Sequence, residues 1–225
     1  PALIKLAQGG KKMFEPKNPK FDEIRGLFPI PSLTMHFVVR ADSGIKTFAD
    51  LDGKSYLIGK GSFGAKEAEK YFEMFGIKDK VKLVDVELNA AVAALKNKQV
   101  DGFATAGSYP APNVMEAAAG TDIHLISMTD EQVTETERTK LVIPAGTYPG
   151  VDQDTTTTSL PVMAYTTTGM SDDTAYTLTK TYWSEKARMG NDNKWWAAVK
   201  PEMMIMAANI QTRPTMRPAK VRGDL

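Results

Sequence analysis

Short apolar segments alternate with helix-like segments through the middle of the chain. Residues 55–58 are apolar and end at Gly59, which predicts a buried strand. Apolar residues then recur at helical spacing as far as Phe75, and Gly76 stands where a helix takes a left-handed C-cap. Further strands are predicted at 81–86, 100–104 and 123–128, and helices at 113–119 and at 89–99 with Asn89 as N-cap. This alternation predicts an α/β fold with right-handed crossovers and one parallel sheet.

Extended segments flank this α/β region on both sides. Residues 33–40 precede it and residues 155–168 follow it, and both are predicted to be strands. Residues 131–140 are polar and are predicted to form a solvated helix, whereas Ser171 is predicted to open a helix that ends near Ala187. Two extended segments around one α/β region indicate that the chain crosses between two lobes.

The composition excludes several kinds of site. The chain has no cysteine, so disulfides, thiolate zinc sites and cysteine nucleophiles are excluded, and its two histidines are too few for a three-histidine metal site. Lys and Arg number 28 against 27 Asp and Glu, a net charge of +1, which argues against a nucleic-acid or polybasic membrane binder. No segment approaches the ~18 apolar residues of a membrane span. We expect neither a metal nor a bound cofactor, and the composition fits a periplasmic and a cytoplasmic protein equally well.

Two loops are predicted at the carboxyl ends of these strands, where ligands bind in parallel sheets. They are residues 59–64 and residues 107–112. The first reads Gly-Lys-Gly-Ser-Phe-Gly and fits G-x-G-x-x-G, and Asp85 stands near the end of the next strand, which is the layout of a dinucleotide fingerprint. A Walker A loop is excluded, because Ala65 displaces Lys66 by one position and no Ser or Thr follows it.

The same glycine-rich loop has two other interpretations. It can be a tight strand-to-helix turn that needs glycine only for its positive φ angles. Alternatively, the main-chain N–H groups of Phe63, Gly64 and Ala65 can bind a small carboxylate at the start of the helix. No Ser-His-Asp set or spaced carboxylate pair stands out, and His36 and His124, both in predicted strands, are predicted to be structural. The residues therefore give no positive case for catalysis.

Residues 143–150 read Ile-Pro-Ala-Gly-Thr-Tyr-Pro-Gly, and shorter motifs accompany them at residues 25–29, 43–45, 50–54, 59–64 and 107–112 and at Tyr176 with Lys180. Together these motifs resemble the TAXI class of solute receptors, the extracytoplasmic binding subunits of TRAP transporters, whose IPAGTYPG segment is matched throughout. The family usually has Gly-Ser-Gly-Thr at the helix entry, where residues 62–65 of this chain are Ser-Phe-Gly-Ala. A phenyl and a methyl group thus replace two hydroxyls, and Phe63 favours a more apolar ligand than is usual in the family.

The resemblance implies a two-lobed α/β fold like that of type II periplasmic binding proteins, with three-layer α/β/α lobes and a strand hinge. Lobe one would comprise residues 1–42 and 145–225, and lobe two residues 43–130. Residues 131–144 would form the crossing segment. Lobe one would be incomplete at its N-terminus, because family members begin with further elements.

The resemblance also implies that the protein is a receptor and not an enzyme. It would capture a small organic anion (an amino acid or carboxylate) in an interlobe cleft in the periplasm and deliver it to a TRAP membrane permease, as a monomer that binds no nucleic acid. The ligand-binding residues would be Ser62, Phe63, Gly64 and Ala65 at the helix entry, Tyr109 and Pro110 in the second loop, and Thr147 and Tyr148 near the hinge. Two alternatives stay open, an NAD(P)-dependent oxidoreductase that uses the GKGSFG loop and the effector-binding domain of a transcription regulator.

Overall fold

The computed structural model describes residues 2–190, 196, 198–201 and 203. The chain divides into a central unit, Ser32–Leu160, and a terminal unit, which combines Pro1–Pro31 with Pro161–Leu225. The predicted lobe at residues 43–130 lies inside the central unit, and the boundaries of the two predicted lobes stay a prediction. Among the described residues, no helix is both long enough and apolar enough to cross a membrane.

Strands and helices fill most of the described chain. The α-helices are α1 (Ala2–Gly9), α2 (Phe63–Met74), α3 (Ala91–Lys96), α4 (Pro112–Gly120), α5 (Asp130–Glu135) and α6 (Asp172–Met189). The strands are β1 (Ile24–Arg40), β2 (Ser55–Leu57), β3 (Lys82–Val84), β4 (Gly102–Gly107), β5 (Ile123–Leu125), β6 (Thr139–Ile143) and β7 (Thr155–Thr167). The described strands form one sheet in the order β3-β2-β4-β1-β7-β6, and β5 pairs with β1 outside this path.

The parallel part of the sheet contains β3, β2 and β4. β2 lies between the other two and is parallel to both, with Ser55 opposite Lys82 and Leu57 opposite Phe103. The predicted strands at 55–58, 81–86 and 100–104 are therefore confirmed, with shifts of a few residues at their ends.

The four short strands run in the same direction, as predicted, but the prediction that they form one purely parallel sheet is wrong, because β1 lies antiparallel between β4 and β5. β5 pairs antiparallel with β1, with Leu125 opposite Val38, and β4 also runs antiparallel to β1, with Thr105 opposite His36. The alternation of apolar and helical segments could not reveal this. It does not show which strand is the neighbour of which, because parallel and antiparallel pairing bury the same side chains.

Two further predictions are corrected. Residues 131–140 do not form one helix, because α5 ends at Glu135 and β6 begins at Thr139, which pairs with Ser159 of β7. β6 lies at the edge of the sheet, where a polar pattern suits a strand as well as a solvated helix. Asn89 lies inside a 3₁₀ turn before α3 and does not cap that helix.

The central unit has two buried clusters because successive residues of its strands face opposite sides of the sheet. On one side, Phe37 of β1 packs with Tyr71 of α2. On the other side, Val38 belongs to the same cluster as Leu95 of α3 and Val114 of α4. Helices therefore cover both faces of the sheet, and the predicted three-layer α/β/α arrangement is confirmed for this unit.

One carboxylate joins three strands where β2 and β4 begin. Asp101 Oδ1 accepts a hydrogen bond from Arg40 Nη2 at 3.1 Å, and Asp101 Oδ2 accepts the N–H of Ser55 at 2.9 Å. The Arg40 N–H donates to Asp101 O at 3.0 Å, and the Asp101 N–H donates to Ser55 O at 2.7 Å. The Arg40 guanidinium also donates to the carbonyl of Val100 and to Asp42. The end of β1 is thus tied to the starts of β2 and β4.

The terminal unit has contacts of its own. The Phe28 ring stacks on Tyr182 with their centroids 3.9 Å apart, and the Tyr182 hydroxyl donates to Pro29 O at 2.5 Å. Ser171 caps α6, as predicted, because its side chain accepts the N–H of Thr174. α6 extends to Met189, close to its predicted end.

Candidate functional site

Two loops leave the sheet at the same edge. β2 and β4 are parallel neighbours, so the chain leaves their carboxyl ends side by side. We call residues 59–64, which lead into α2, the glycine loop, and residues 107–111, which lead into α4, the Tyr109 loop. This edge is the place that the sequence predicts for the site.

The glycine loop passes twice through the left-handed region. Gly59 has a φ of 77° and Gly61 a φ of 69°, which confirms that these glycines serve a tight strand-to-helix turn. The Lys60 N–H donates to Val86 O at 2.8 Å, and the Ser62 N–H donates to Gly59 O at 3.1 Å. The first bond holds the loop to the segment that follows β3, and the second closes the turn within the loop.

The start of α2 presents main-chain donors at this edge. Ser62 is the N-cap, and its Oγ accepts the N–H of Ala65 at 3.0 Å, so the Ala65 donor is already engaged. The N–H groups of Phe63 and Gly64 make no hydrogen bond to another described residue. Both lie in the first turn of α2, at the positive end of the helix dipole; Phe63 is exposed, whereas Gly64 is buried.

Gly64 lets α2 approach β4 closely. A Cβ at Gly64 would lie 3.0 Å from the main-chain nitrogen of Ala106. The side chain of Phe63, by contrast, is 38% exposed. An apolar ring therefore stands next to the two available donors.

The Tyr109 loop contributes a neutral phenol. Tyr109 and Pro110 are half-buried, and the peptide bond between them is cis. Burial raises the pKa of the Tyr109 hydroxyl above its ordinary value, so this group is protonated at neutral pH and can donate a hydrogen bond. Ala111 is the N-cap residue of α4.

Thr147 and Tyr148 lie in the turn between β6 and β7. Thr147 Oγ1 donates to Pro144 O at 2.6 Å. The Tyr148 side chain is 1% exposed, and its hydroxyl accepts the N–H of Ala111 at 2.8 Å and lies 2.7 Å from His36 Nε2. The structure thus encloses Tyr148 behind the Tyr109 loop, and its contact with a ligand stays a prediction.

His36 continues this chain of hydrogen bonds. Its Nδ1 lies 3.0 Å from Thr34 O, a carbonyl that can only accept, so Nδ1 carries the proton and Nε2 accepts from the Tyr148 hydroxyl. Desolvation by burial lowers the pKa of His36 to about 4, although the bond to Thr34 opposes this shift. The structural role predicted for His36 is confirmed. Its bond to Tyr148 was not predicted, because residues 112 positions apart leave no local signal.

The acidic residue of the dinucleotide interpretation lies beside the glycine loop. Asp85 directly follows β3, and its Oδ2 lies 3.8 Å from the Nζ of Lys60, with both side chains 62% exposed. In dinucleotide-binding folds, a carboxylate at the end of the strand next to the glycine-rich one binds the ribose hydroxyls, and Asp85 has this position. In the part of the chain that the structure describes, no group of three His, Cys, Asp or Glu side chains could hold a metal ion.

A sequence model described as the NMT1-like family matches residues 2–213. The chain belongs to the NMT1-like family. That match spans both units of this NMT1-like protein and most of the motifs that led to the TAXI comparison. The narrower TAXI assignment stays a prediction.

Three solved structures similar to this NMT1-like protein are solute-binding proteins. The periplasmic aliphatic sulphonate binding protein SsuA of Escherichia coli is 21% identical, with 46% of this chain and 35% of that one covered and a TM-score of 0.38. The L-cystine solute receptor of Neisseria gonorrhoeae, in its unliganded open conformation, is 14% identical, with coverage of 74% and 55% and a TM-score of 0.41. An amino acid ABC transporter substrate-binding protein of Streptococcus pneumoniae, bound to L-arginine, is 12% identical, with coverage of 86% and 64% and a TM-score of 0.41. This chain spans less than two thirds of each of them.

Proposed function

We propose that this protein is the solute-binding subunit of a membrane transporter. It captures a small organic anion, an amino acid or another carboxylate, at the edge formed by the glycine loop and the Tyr109 loop. It works in the periplasm, delivers its cargo to a TRAP-type permease and performs no chemistry on it. The IPAGTYPG segment at residues 143–150, with its resemblance to TAXI receptors, supports this choice of partner.

The observation that carries the proposal is the pair of N–H donors at Phe63 and Gly64, which have no hydrogen-bond partner among the described residues. They stand at the N-terminus of α2, a helix of 12 residues whose dipole favours negative charge at that end. Ser62 keeps the first turn of this helix closed by accepting the N–H of Ala65. A carboxylate placed here would receive hydrogen bonds from groups whose positions are already set.

The side chains around these donors favour an anion with an apolar part. The partly exposed ring of Phe63 stands where TAXI receptors usually carry a hydroxyl, so it offers contact area in place of a hydrogen bond. Tyr109, in the neighbouring loop, supplies one neutral hydroxyl. We therefore expect an anion with an aliphatic or aromatic portion to bind more tightly than a small polar dicarboxylate.

A ligand screen tests the proposal. The chain is titrated with L-glutamate, succinate, L-phenylalanine and ethanesulfonate, and thermal shift and isothermal calorimetry are recorded. Succinamide serves as the uncharged control for succinate. We expect at least one of these four compounds, each of which carries a carboxylate or sulfonate group, to bind, and succinamide not to bind. The absence of any thermal shift at millimolar anion would overturn the proposal.

Two variants at one position isolate the main-chain donor. F63P removes both the ring and the N–H of residue 63, whereas F63A removes only the ring. Proline is tolerated at the first helical position, and Ser62 has the extended conformation, with φ −75° and ψ 161°, that the residue before proline prefers. Loss of a hydrogen bond to a charged group predicts that F63P binds the anion about 10- to 100-fold more weakly than F63A. Equal affinities would show that this N–H is not used.

The dinucleotide interpretation remains as a second candidate, because Asp85 and the glycine loop have the layout of the fingerprint. It predicts that NADH or NADPH fluorescence changes when the chain is added and that D85N abolishes the change. The anion proposal predicts no change in fluorescence and an anion affinity that D85N leaves as it was. One pair of titrations therefore separates the two functions.

A further inference from the structure

We infer that Tyr148 is a positioning residue for the Tyr109 loop. Its hydroxyl, held by His36, fixes the end of that loop and with it the place of Tyr109 and Pro110 in the site. As a statement about ligand binding this rests on the proposed function. The role of Tyr148 in holding the Tyr109 loop follows from the hydrogen bonds alone.

Three distant parts of the chain meet at this hydroxyl. Ala111, at the end of the Tyr109 loop, is 37 positions from Tyr148, and His36 on β1 is 112 positions from it. The Tyr148 side chain is 1% exposed and His36 is fully buried. Water therefore has little access to replace either bond.

The direction of every bond in this chain is fixed. The Ala111 N–H can only donate, so it gives its proton to the Tyr148 oxygen. The Thr34 carbonyl can only accept, so His36 donates from Nδ1 and must accept at Nε2. Because the buried His36 is neutral at neutral pH, its Nε2 has no proton, so the Tyr148 hydroxyl donates to His36 Nε2 and accepts from the Ala111 N–H.

This arrangement makes Tyr148 a support for the site and not a contact of the ligand. With one bond donated and one accepted, its hydroxyl is engaged away from any solute. The Tyr109 ring packs against the cluster that contains Tyr148, and the Ala111 N–H lies directly after Pro110. If the hydroxyl is removed, a buried N–H and a buried imidazole nitrogen both lose their partner, and the loop gains other conformations.

Y148F tests the inference, with Y71F as its matched control. Tyr71 is also fully buried, and its hydroxyl also makes a side-chain hydrogen bond, at 2.8 Å to Thr158 Oγ1, but it does not touch the Tyr109 loop. Amide hydrogen exchange is measured by NMR on the full chain. We expect the Ala111 amide to exchange about tenfold faster or more in Y148F and to be nearly unchanged in Y71F. Unchanged exchange in Y148F, or equal acceleration in both variants, would overturn the inference.

Binding of L-glutamate and L-phenylalanine extends the test to the ligand. In Y148F we expect about tenfold weaker binding of whichever of these two amino acids the wild-type chain binds, while Y71F binds as the wild type does. Faster exchange with unchanged affinity would contradict a role in the site. If neither amino acid binds the wild-type chain, exchange at Ala111 alone decides whether Tyr148 holds the loop, and the full ligand screen decides the proposed function.

Discussion

The Arg138 guanidinium holds the Glu67 carboxylate through two hydrogen bonds, from Nε to Oε2 at 2.8 Å and from Nη2 to Oε1 at 2.7 Å. Glu67 is 7% exposed and lies on α2, about one turn after the donors of the proposed site. The hydrogen bond with Glu67 raises the pKa of Arg138. This ion pair therefore fixes α2 against the segment between α5 and β6.

Replacing Arg138 by methionine should destabilise the central unit strongly. R138M keeps a long apolar side chain but leaves the Glu67 carboxylate buried without its cation, which costs about 3–5 kcal/mol in comparable pairs. Urea unfolding followed by circular dichroism measures the loss. K140M is the matched control, because it breaks the exposed ion pair between Lys140, which is 49% exposed, and Asp130, which is 76% exposed. We expect K140M to lower the free energy of unfolding by less than about 1 kcal/mol. A double variant E67M/R138M that is no more stable than R138M would contradict this reasoning.

Gly64→Ala should destabilise the protein even though alanine is the better helix former. The added Cβ would lie 3.0 Å from the main-chain nitrogen of Ala106 and 3.3 Å from the carbonyl carbon of Thr105, and strand backbone inside a sheet cannot easily move away. We expect a net loss of about 1–3 kcal/mol, measured by denaturant unfolding. G107A serves as the control, because an added Cβ there has no atom within 4 Å. Equal stability of the two variants would refute the close approach of α2 to β4.

Ser62→Ala should weaken anion binding as well as stability. Loss of the cap costs about 1 kcal/mol and lets the first turn of α2 fray, which disorders the donors of Phe63 and Gly64. T129A removes a similar cap, in which Thr129 Oγ1 accepts an N–H at 3.2 Å at the start of α5. It should cost comparable stability and leave binding intact. Calorimetry with the compound that binds most tightly in the screen measures the affinity of each variant. Equal affinities of S62A and T129A for this compound would contradict the start of α2 as the binding site.

The stability of the protein should fall between pH 6.5 and pH 4 through His36. The folded state holds this imidazole neutral with a pKa of about 4, against 6.5 for an unperturbed histidine. The unfolded state therefore binds a proton in this window that the folded state does not, and stability is lost as the pH decreases. The difference between these two pKa values corresponds to a loss of about 3 kcal/mol in the free energy of unfolding. Urea unfolding as a function of pH should show a shallower decline in H36Q than in the wild type. Parallel curves for the wild type and H36Q would rule out this contribution.

Local features of the fold could be predicted from the sequence. The left-handed turns at Gly59 and Gly76 and the cap at Ser171 involve atoms only a few residues apart, so the residue type decides the geometry. The order of strands and helices also predicted that both candidate loops lie at the carboxyl ends of the strands. These features do not depend on how distant segments pair.

Features that depend on distant segments could not be predicted. The sequence indicates an extended segment at residues 33–40, but not that β1 has 17 residues or that it pairs antiparallel with both β4 and β5. The Glu67–Arg138 pair joins residues 71 positions apart. Nothing in either local sequence distinguishes these two charged side chains from others that remain in solvent. The bond between Tyr148 and His36 could not be predicted for the same reason.

The hydrogen bonds that Asp101 makes with Arg40 and Ser55 affect how the ligand preference of the protein can change during evolution. Asp101 and Arg40 tie three strands together at the amino ends of β2 and β4, whereas the glycine loop and the Tyr109 loop leave the opposite ends. Mutations that change ligand selectivity can therefore accumulate in the two loops at the carboxyl ends of β2 and β4 without weakening the hydrogen bonds at their amino ends. A designer who wants a new cargo preference can graft both loops while leaving Asp101, Arg40 and Ser55 untouched.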